Sequence, residues 1–349
     1  MNTLRSFAAG APSKLILLGE HAVVHGSPAL AVPLEEPSSR ASARLTRPGD
    51  PLAVELPDFK LAWTAGAEPA AEEARPFPAL LRRAVSTGLA PDNGWSVSVA
   101  AEVPIGCGLG SGASIAASAF RAVYGLFGAA RSDRDLSDDV FEVEKVLHGT
   151  PSGVDNTVVA HGRPVLFLKG ASPAFLAGPG APLFLAVADT GIRHRTSEVV
   201  AEVASRREAS RERFDILFSR IGELALSGAG AFERGDAAGL GALMDQNHEL
   251  LTMLGVSCPE LDRLVRAARS SGALGAKLCG AGRGGCMAAL APDRDASLRL
   301  AAALREAGAK RVFTARIGAP SGKGERPPFG GLAFGQAFGQ ASHGQGDRT

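Results

Sequence analysis

Apolar residues along this chain fall into short clusters, and their spacing alternates between strand and helix periods. Two compact apolar runs early on, residues 14–18 and 29–32, have the length of buried strands. Trp95, Val97, Val99, Ala101 and Val103 alternate with mostly polar neighbours, the period of a half-buried strand. That strand runs into Pro104 and a glycine cluster. The pattern then turns helical: residues 113–127 read as an Ala-rich helix, and 133–148 as another, with Leu136, Val140, Val143 and Leu147 on one face. Residues 183–188 form a further apolar strand. Helical spacing resumes at Phe214, Leu217, Ile221 and Leu224, and again at Leu240, Leu243, Leu250 and Leu254. Pro259 stands where it can open one more helix. A strand over 277–279, a glycine loop, a strand over 286–290, a helix and a strand over 311–317 follow. The mixture is α+β, and a domain boundary is expected near Asp189, dividing 1–189 from 190–317. From 318 to 349 Gly, Pro, Gln and Ser dominate, and this reads as a disordered tail. Gly318 to Lys323 superficially resembles a phosphate-binding P-loop, but its spacing is one short and no Ser or Thr follows the Lys.

Composition adds limits. The 349 residues are 45% hydrophobic, enough for a sizeable core. Lys+Arg number 37 and Asp+Glu 36, so the net charge of +1 gives no global attraction to nucleic acid or membrane. No signal peptide or span-length apolar stretch is visible, and a soluble cytoplasmic protein is expected. Cys107, Cys258, Cys279 and Cys286 show no metal-type spacing and read as reduced, small, partly buried thiols.

Four motifs carry candidate chemistry. Pro104-Ile105-Gly106-Cys107-Gly108-Leu109-Gly110-Ser111-Gly112-Ala113 has a strand before it and a helix after it. Glycines let backbone N–H groups approach a ligand, and the helix adds unpaired donors and a positive dipole end, so an anion such as triphosphate suits the loop. A plain glycine-rich turn is the alternative. The second cluster, Gly280-Ala281-Gly282-Arg283-Gly284-Gly285, matches a dinucleotide fingerprint in letters only, because a strand rather than a helix follows it. A hairpin loop touching substrate or phosphate fits better. Glu144 lies on the flank of an apolar helical stripe, where a carboxylate needs a partner: a bound Mg²⁺, or a salt bridge to Arg121 or Lys145. Asp155 follows a Pro-Ser-Gly turn that would aim a carboxylate from a constrained loop, as a general base requires, although Asp in turns is commonly structural. Lys14 precedes an apolar strand, and Glu20 and His21 emerge at its far end.

These motifs, in this order and spacing, resemble those of the GHMP kinases over nearly the whole chain to about Gly318. Within that family the likeness is greatest to the mevalonate-phosphorylating members, carried by Gly19-Glu20-His21-Ala22-Val23-Val24, by His148-Gly149-Thr150-Pro151-Ser152-Gly153-Val154-Asp155-Asn156, and by Met244-Asp245-Gln246-Asn247-His248. The resemblance implies a GHMP kinase-like two-domain fold, with a ribosomal S5 domain 2-like N-terminal domain that binds ATP and a ferredoxin-like C-terminal domain. It implies phosphorylation of the primary hydroxyl of mevalonate to 5-phosphomevalonate, with ATP and Mg²⁺. By resemblance Asp155 is the catalytic carboxylate and Lys14 its charge-neutralising partner. Pro104, Gly106, Gly108, Leu109, Gly110, Ser111, Gly112 and Ala113 would hold ATP; Glu144 and Ser111 would hold Mg²⁺; Glu20, His21, Thr196, Gly280, Ala281 and Gly282 would meet the substrate. The family usually carries a second Ser where Gly112 stands, so Ser111, Ser114 or a metal-bound water would have to replace its oxygen. Phosphomevalonate or a sugar is the alternative acceptor, and a non-catalytic ligand-sensing relative is a third reading. The oligomeric state is left open, a homodimer included.

Overall fold

The computed structural model describes residues 6–69, 74–88 and 93–318. The P-loop-like stretch and all of the tail after Gly318 lie outside the described residues. The chain builds two sheets. The first has seven strands: β1 (Ser6–Leu18), β2 (Ala29–Pro48), β3 (Ala53–Leu56), β4 (Leu61–Thr64), β5 (Asn93–Ala101), β6 (Val165–Phe167) and β7 (Ala174–Phe175). Its order is β4-β3-β5-β2-β6-β7, with β1 antiparallel to β2. The second is antiparallel in the order β11-β8-β10-β9, from β8 (Leu183–Asp189), β9 (Gly275–Leu278), β10 (Cys286–Ala291) and β11 (Arg311–Ile317). The divide expected at Asp189 thus falls at the end of a strand that belongs to the second sheet.

Strand periodicity decides which residues meet. In β1 and β2, Leu15, Leu17, Leu30, Val32 and Leu34 pack with Leu185, Val187, Ala288 and Leu290 of the second sheet. The intervening Ile16, Ala29 and Ala31 point the other way, against Val154 and Val158. β8 and β10 are buried on both faces, which explains their unbroken apolar runs. β2 is far longer than its four-residue apolar start suggests. Past Leu34 it shifts register with β1 and then continues as Arg40 out, Ala41 in, Ser42 out, Ala43 in, Arg44 out.

Helices α1 (Pro76–Ser86), α2 (Ser111–Phe127), α3 (Asp133–His148) and α4 (Val154–His161) cover the first sheet's remaining face. α2 is buried on nearly every side, as its Ala-rich sequence allows. Helices α5 (Thr196–Ala209), α6 (Arg211–Arg234), α7 (Ala237–Met253), α8 (Pro259–Ser270) and α9 (Arg294–Glu306) pack on the outer face of the second sheet through Ala186, Ala188, Met287 and Ala289. α1, α4 and α5 have no counterpart in the sequence reading. No described helix is long and apolar enough to cross a membrane. The four cysteines are free thiols, and Cys107, Cys279 and Cys286 are buried.

Candidate active site

Between the two sheets' ends lies a cavity of about 660 Å³. Its floor is the 106–112 loop. Gly106, Gly108 and Gly110 all have positive φ, and Gly110 is the N-cap of α2. A Cβ on Gly110 would stand 2.7 Å from Lys14 Cγ, so glycine is required there by space as well as by conformation. The loop is held from beneath by the second glycine cluster. A Cβ on Gly108 would lie 2.7 Å from Cys279 O, one on Gly280 2.6 Å from Gly108 Cα, and one on Gly285 2.8 Å from Cys107 O. Cys286 N donates to Cys107 O at 2.9 Å. Two backbones are therefore in direct contact, one from each half of the chain.

Above this floor stands the charged pair. Lys14 Nζ lies 3.0 Å from Asp155 Oδ1, and Lys14 is 3% exposed. Its backbone N–H donates to Leu109 O at 3.0 Å and its ammonium to Gly108 O at 3.3 Å, which ties β1 to the loop. Burial alone would push the Lys14 pKa down, but the carboxylates of Asp155, Glu20 and Glu144 together outweigh it, Asp155 most strongly, and raise it above the usual lysine value. Asp155 sits in the first turn of α4, where the helix dipole favours a carboxylate. Glycine at 153, with φ 95, makes the reversal that starts the helix.

Glu144, on α3, is 2% exposed and its Oε1 has no hydrogen-bond partner. Neither expected salt bridge forms: Lys145 pairs with Glu142 at 2.7 Å, and Arg121 donates to the carbonyls of Gly10 and Ala160. Among the described residues, His148 comes within ion-pair reach, its Nε2 lying 3.4 Å from Glu144 Oε2. Burial first, then the Asp155 charge, push the Glu144 pKa up to about 8. A buried, unpartnered carboxylate oxygen facing a phosphate-sized cradle fits a hard cation. Gly112 has no side-chain oxygen to offer; a Cβ there would lie 2.8 Å from Glu144 Oε1 and 2.5 Å from Leu147 Cδ1. Ser114 does not replace it, being fully buried and bonded to Ala11 O (3.2 Å) and Ser39 Oγ (2.9 Å). Ser111 does line the cavity.

Glu20, His21, Thr196, Gly280 and Ala281 also line the cavity. His21 Nε2 meets Ala281 O at 2.9 Å, and a carbonyl only accepts, so this nitrogen carries the proton. Burial pushes the His21 pKa down to about 4. Pro104, Leu109, Ala113 and Gly282 do not line the cavity. Leu109 and Ala113 are core residues, and Gly282 is pressed against Val256. Sequence reasoning missed the apolar lobe made by Leu56, Phe77, Leu80, Ile115, Val143 and Val146. The signal was present: Phe77, Leu80, Leu81 and Ala84 have helical spacing.

A glycine cradle, a buried lysine–carboxylate pair and an unpaired buried carboxylate are groups chemically suited to phosphoryl transfer. Residues 77–163 match the family model "GHMP kinases N terminal domain" and 228–310 match "GHMP kinases C terminal". The Thermococcus sibiricus mevalonate kinase is 34% identical over 331 residues, covering 88% of this chain and 95% of that one. The Methanocaldococcus jannaschii mevalonate kinase is 30% identical, covering 79% and 89%. The structure of L. major mevalonate kinase in complex with R-mevalonate superposes with a TM-score of 0.78 at 27% identity, over 92% of this chain and 98% of that one. The chain belongs to the GHMP kinases and has their two-domain fold. Inside that family, the relatives it follows along most of their length carry the name mevalonate kinase.

Proposed function

We propose that this kinase transfers the γ-phosphoryl group of ATP to the primary hydroxyl of mevalonate, giving 5-phosphomevalonate and ADP. The observation that carries the reading is the Lys14–Asp155 pair at 3.0 Å, in one cavity with the glycine cradle and with Glu20, His21 and Thr196. The apolar lobe beside the cradle suits a purine, and the N–H groups of the 106–112 loop suit its phosphates. Asp155 accepts the hydroxyl proton, or fixes its direction, as the oxygen attacks in line. Lys14 offsets the negative charge that gathers there. Mg²⁺ would be held by Glu144, with Ser111 and waters completing its shell, and would neutralise phosphate charge. The halves that close on the substrate are best divided between Phe175 and Leu183 rather than at Asp189, because β8 is built into the second sheet.

Turnover with ATP, followed by coupled ADP release, tests the reading across mevalonate, phosphomevalonate, galactose and homoserine. Mevalonate should exceed the others in kcat/KM by orders of magnitude. Preference for another acceptor would move the protein elsewhere in its family, and no turnover with any of them would favour a ligand-sensing role.

A further inference from the structure

Lys277, on β9, is fully buried, and the transfer chemistry makes no use of it. Its ammonium pairs with Glu20 Oε1 and donates to Leu278 O at 2.7 Å and to Ile16 O at 3.4 Å. The other Glu20 oxygen accepts from Asn247 Nδ2 at 3.2 Å. Both oxygens of this cavity-lining carboxylate are therefore taken by protein donors. The next residue, His21, has φ 60 and ψ −49, the centre of a tight turn in which Ala22 N donates to Glu20 O at 2.7 Å; a side chain disfavours this conformation, and surrounding contacts must impose it. Its ring is fixed by Ala281 O. Lys277 and Ala281 lie on one continuous segment, β9 and the glycine turn after it. That segment grips the turn following β1 at two points: through the Glu20 side chain and through the His21 ring. Lys14, at the reacting end, is on the same strand β1.

We infer that Lys277 is a positioning residue: through its ion pair with Glu20 it fixes the Glu20–His21 turn against β1. It thereby sets how the far end of the acceptor alcohol is seated relative to Lys14 and Asp155. Lys277 does not line the cavity. The inference rests on the acceptor reading above for what occupies the cavity beside Glu20 and His21.

Three variants test it. Lys277→Met leaves Glu20 charged and buried; the acceptor KM should rise about tenfold or more, with a smaller fall in kcat and a lowered Tm. Glu20→Gln keeps an oxygen for Lys277 and should raise the acceptor KM less. Glu20→Gln/Lys277→Met removes both charges; Tm should return while the acceptor KM stays high, since the fold is kept and the clamp is gone. The His21 imidazole ¹⁵N resonances of the substrate-free protein, assigned with His21→Asn, should move in both variants that lack the lysine. If Lys277→Met does not fold, the double variant decides. A double variant with wild-type acceptor KM and His21 resonances would reduce Lys277 to a stabilising role and overturn the inference. So would a Glu20→Gln variant as impaired as Lys277→Met at normal Tm, which would make Glu20 a direct substrate ligand. Wild-type turnover across the acceptor panel is read first. If mevalonate fails there and another alcohol serves, the acceptor reading falls, and the variants are compared on that alcohol. The resonances need no substrate at all.

Discussion

At position 112 a side chain would enter space that Leu147 already fills. A serine there requires the tips of the Leu147 and Glu144 side chains to shift. We expect Gly112→Ser alone to lower Tm, because the Leu147 methyl must move aside, at a cost of about 1–3 kcal/mol. Gly112→Ser/Leu147→Ala should recover that loss and bind Mn²⁺, used as a spectroscopic substitute for Mg²⁺, more tightly than wild type. If the single variant already tightens Mn²⁺ binding with normal Tm, Leu147 is no obstacle. At the reacting atoms, Asp155→Asn keeps shape but cannot take a proton, so kcat should fall roughly 100- to 10,000-fold. Calorimetric ATP affinity should hardly change. Near-normal turnover would remove Asp155 from the chemistry. These two residues also mark what sequence could convey. Asp155 was legible from the turn before it and the family motif around it. The crowding at Gly112 was not, because it depends on a leucine from another helix.

Helix α3 shows how an element delivers a side chain. Its N-cap Ser132 accepts from Asp135 N at 3.1 Å, and Asp135 bonds back to Ser132 N at 3.0 Å, a reciprocal cap that fixes where the helix begins. Three turns later the helix delivers Glu144 to the cavity. Ser132→Ala should cost about 1 kcal/mol, read as a drop in Tm, while kcat of the folded enzyme stays as it was. A fall in kcat at unchanged stability would mean that the cap steers Glu144 directly. Elements with long periodic patterns, such as α3, α6 and α7, were legible. α4 was not, since eight residues starting after Pro-Ser-Gly look like a turn. β2 was legible only over its apolar start, 29–32, because beyond it prolines and polar residues interrupt the apolar run. The structure accommodates Pro37 where the pairing with β1 slips, between Leu34 and Ser38, while Pro33 stays in register opposite Lys14.

For the molecule as a whole, the two halves share buried groups that titrate. His21 and, on α7, His248 both have their pKa lowered from 6.5 to about 4, chiefly by burial. Between those values the unfolded chain holds protons that the folded chain refuses. The stability that neutral imidazoles permit is complete above pH 6.5 and is lost as pH falls toward 4. At about 1.4 kcal/mol per pKa unit, each histidine accounts for a few kcal/mol. Glu144 works the other way, because its pKa, raised from 4.5 to about 8, makes the folded chain gain stability as pH falls toward 4.5. Tm should therefore fall by only about 5 °C over that interval, and His248→Gln should flatten the decline. An equally steep decline in the variant would assign the acid sensitivity to other groups.

The bare backbone contact between Gly108 and Gly280 has a consequence for descent and for engineering. Each loop is the mould in which the other is cast, and neither has room for one added carbon. A change tolerated in one relative's nucleotide loop need not be tolerated here unless its opposite number travels with it. Grafting residues 77–163 from a cousin while leaving 228–310 in place would bring together surfaces shaped for different partners. The unit that evolution can exchange is thus discontinuous in the chain: two short glycine stretches, some 170 residues apart, inherited as one part.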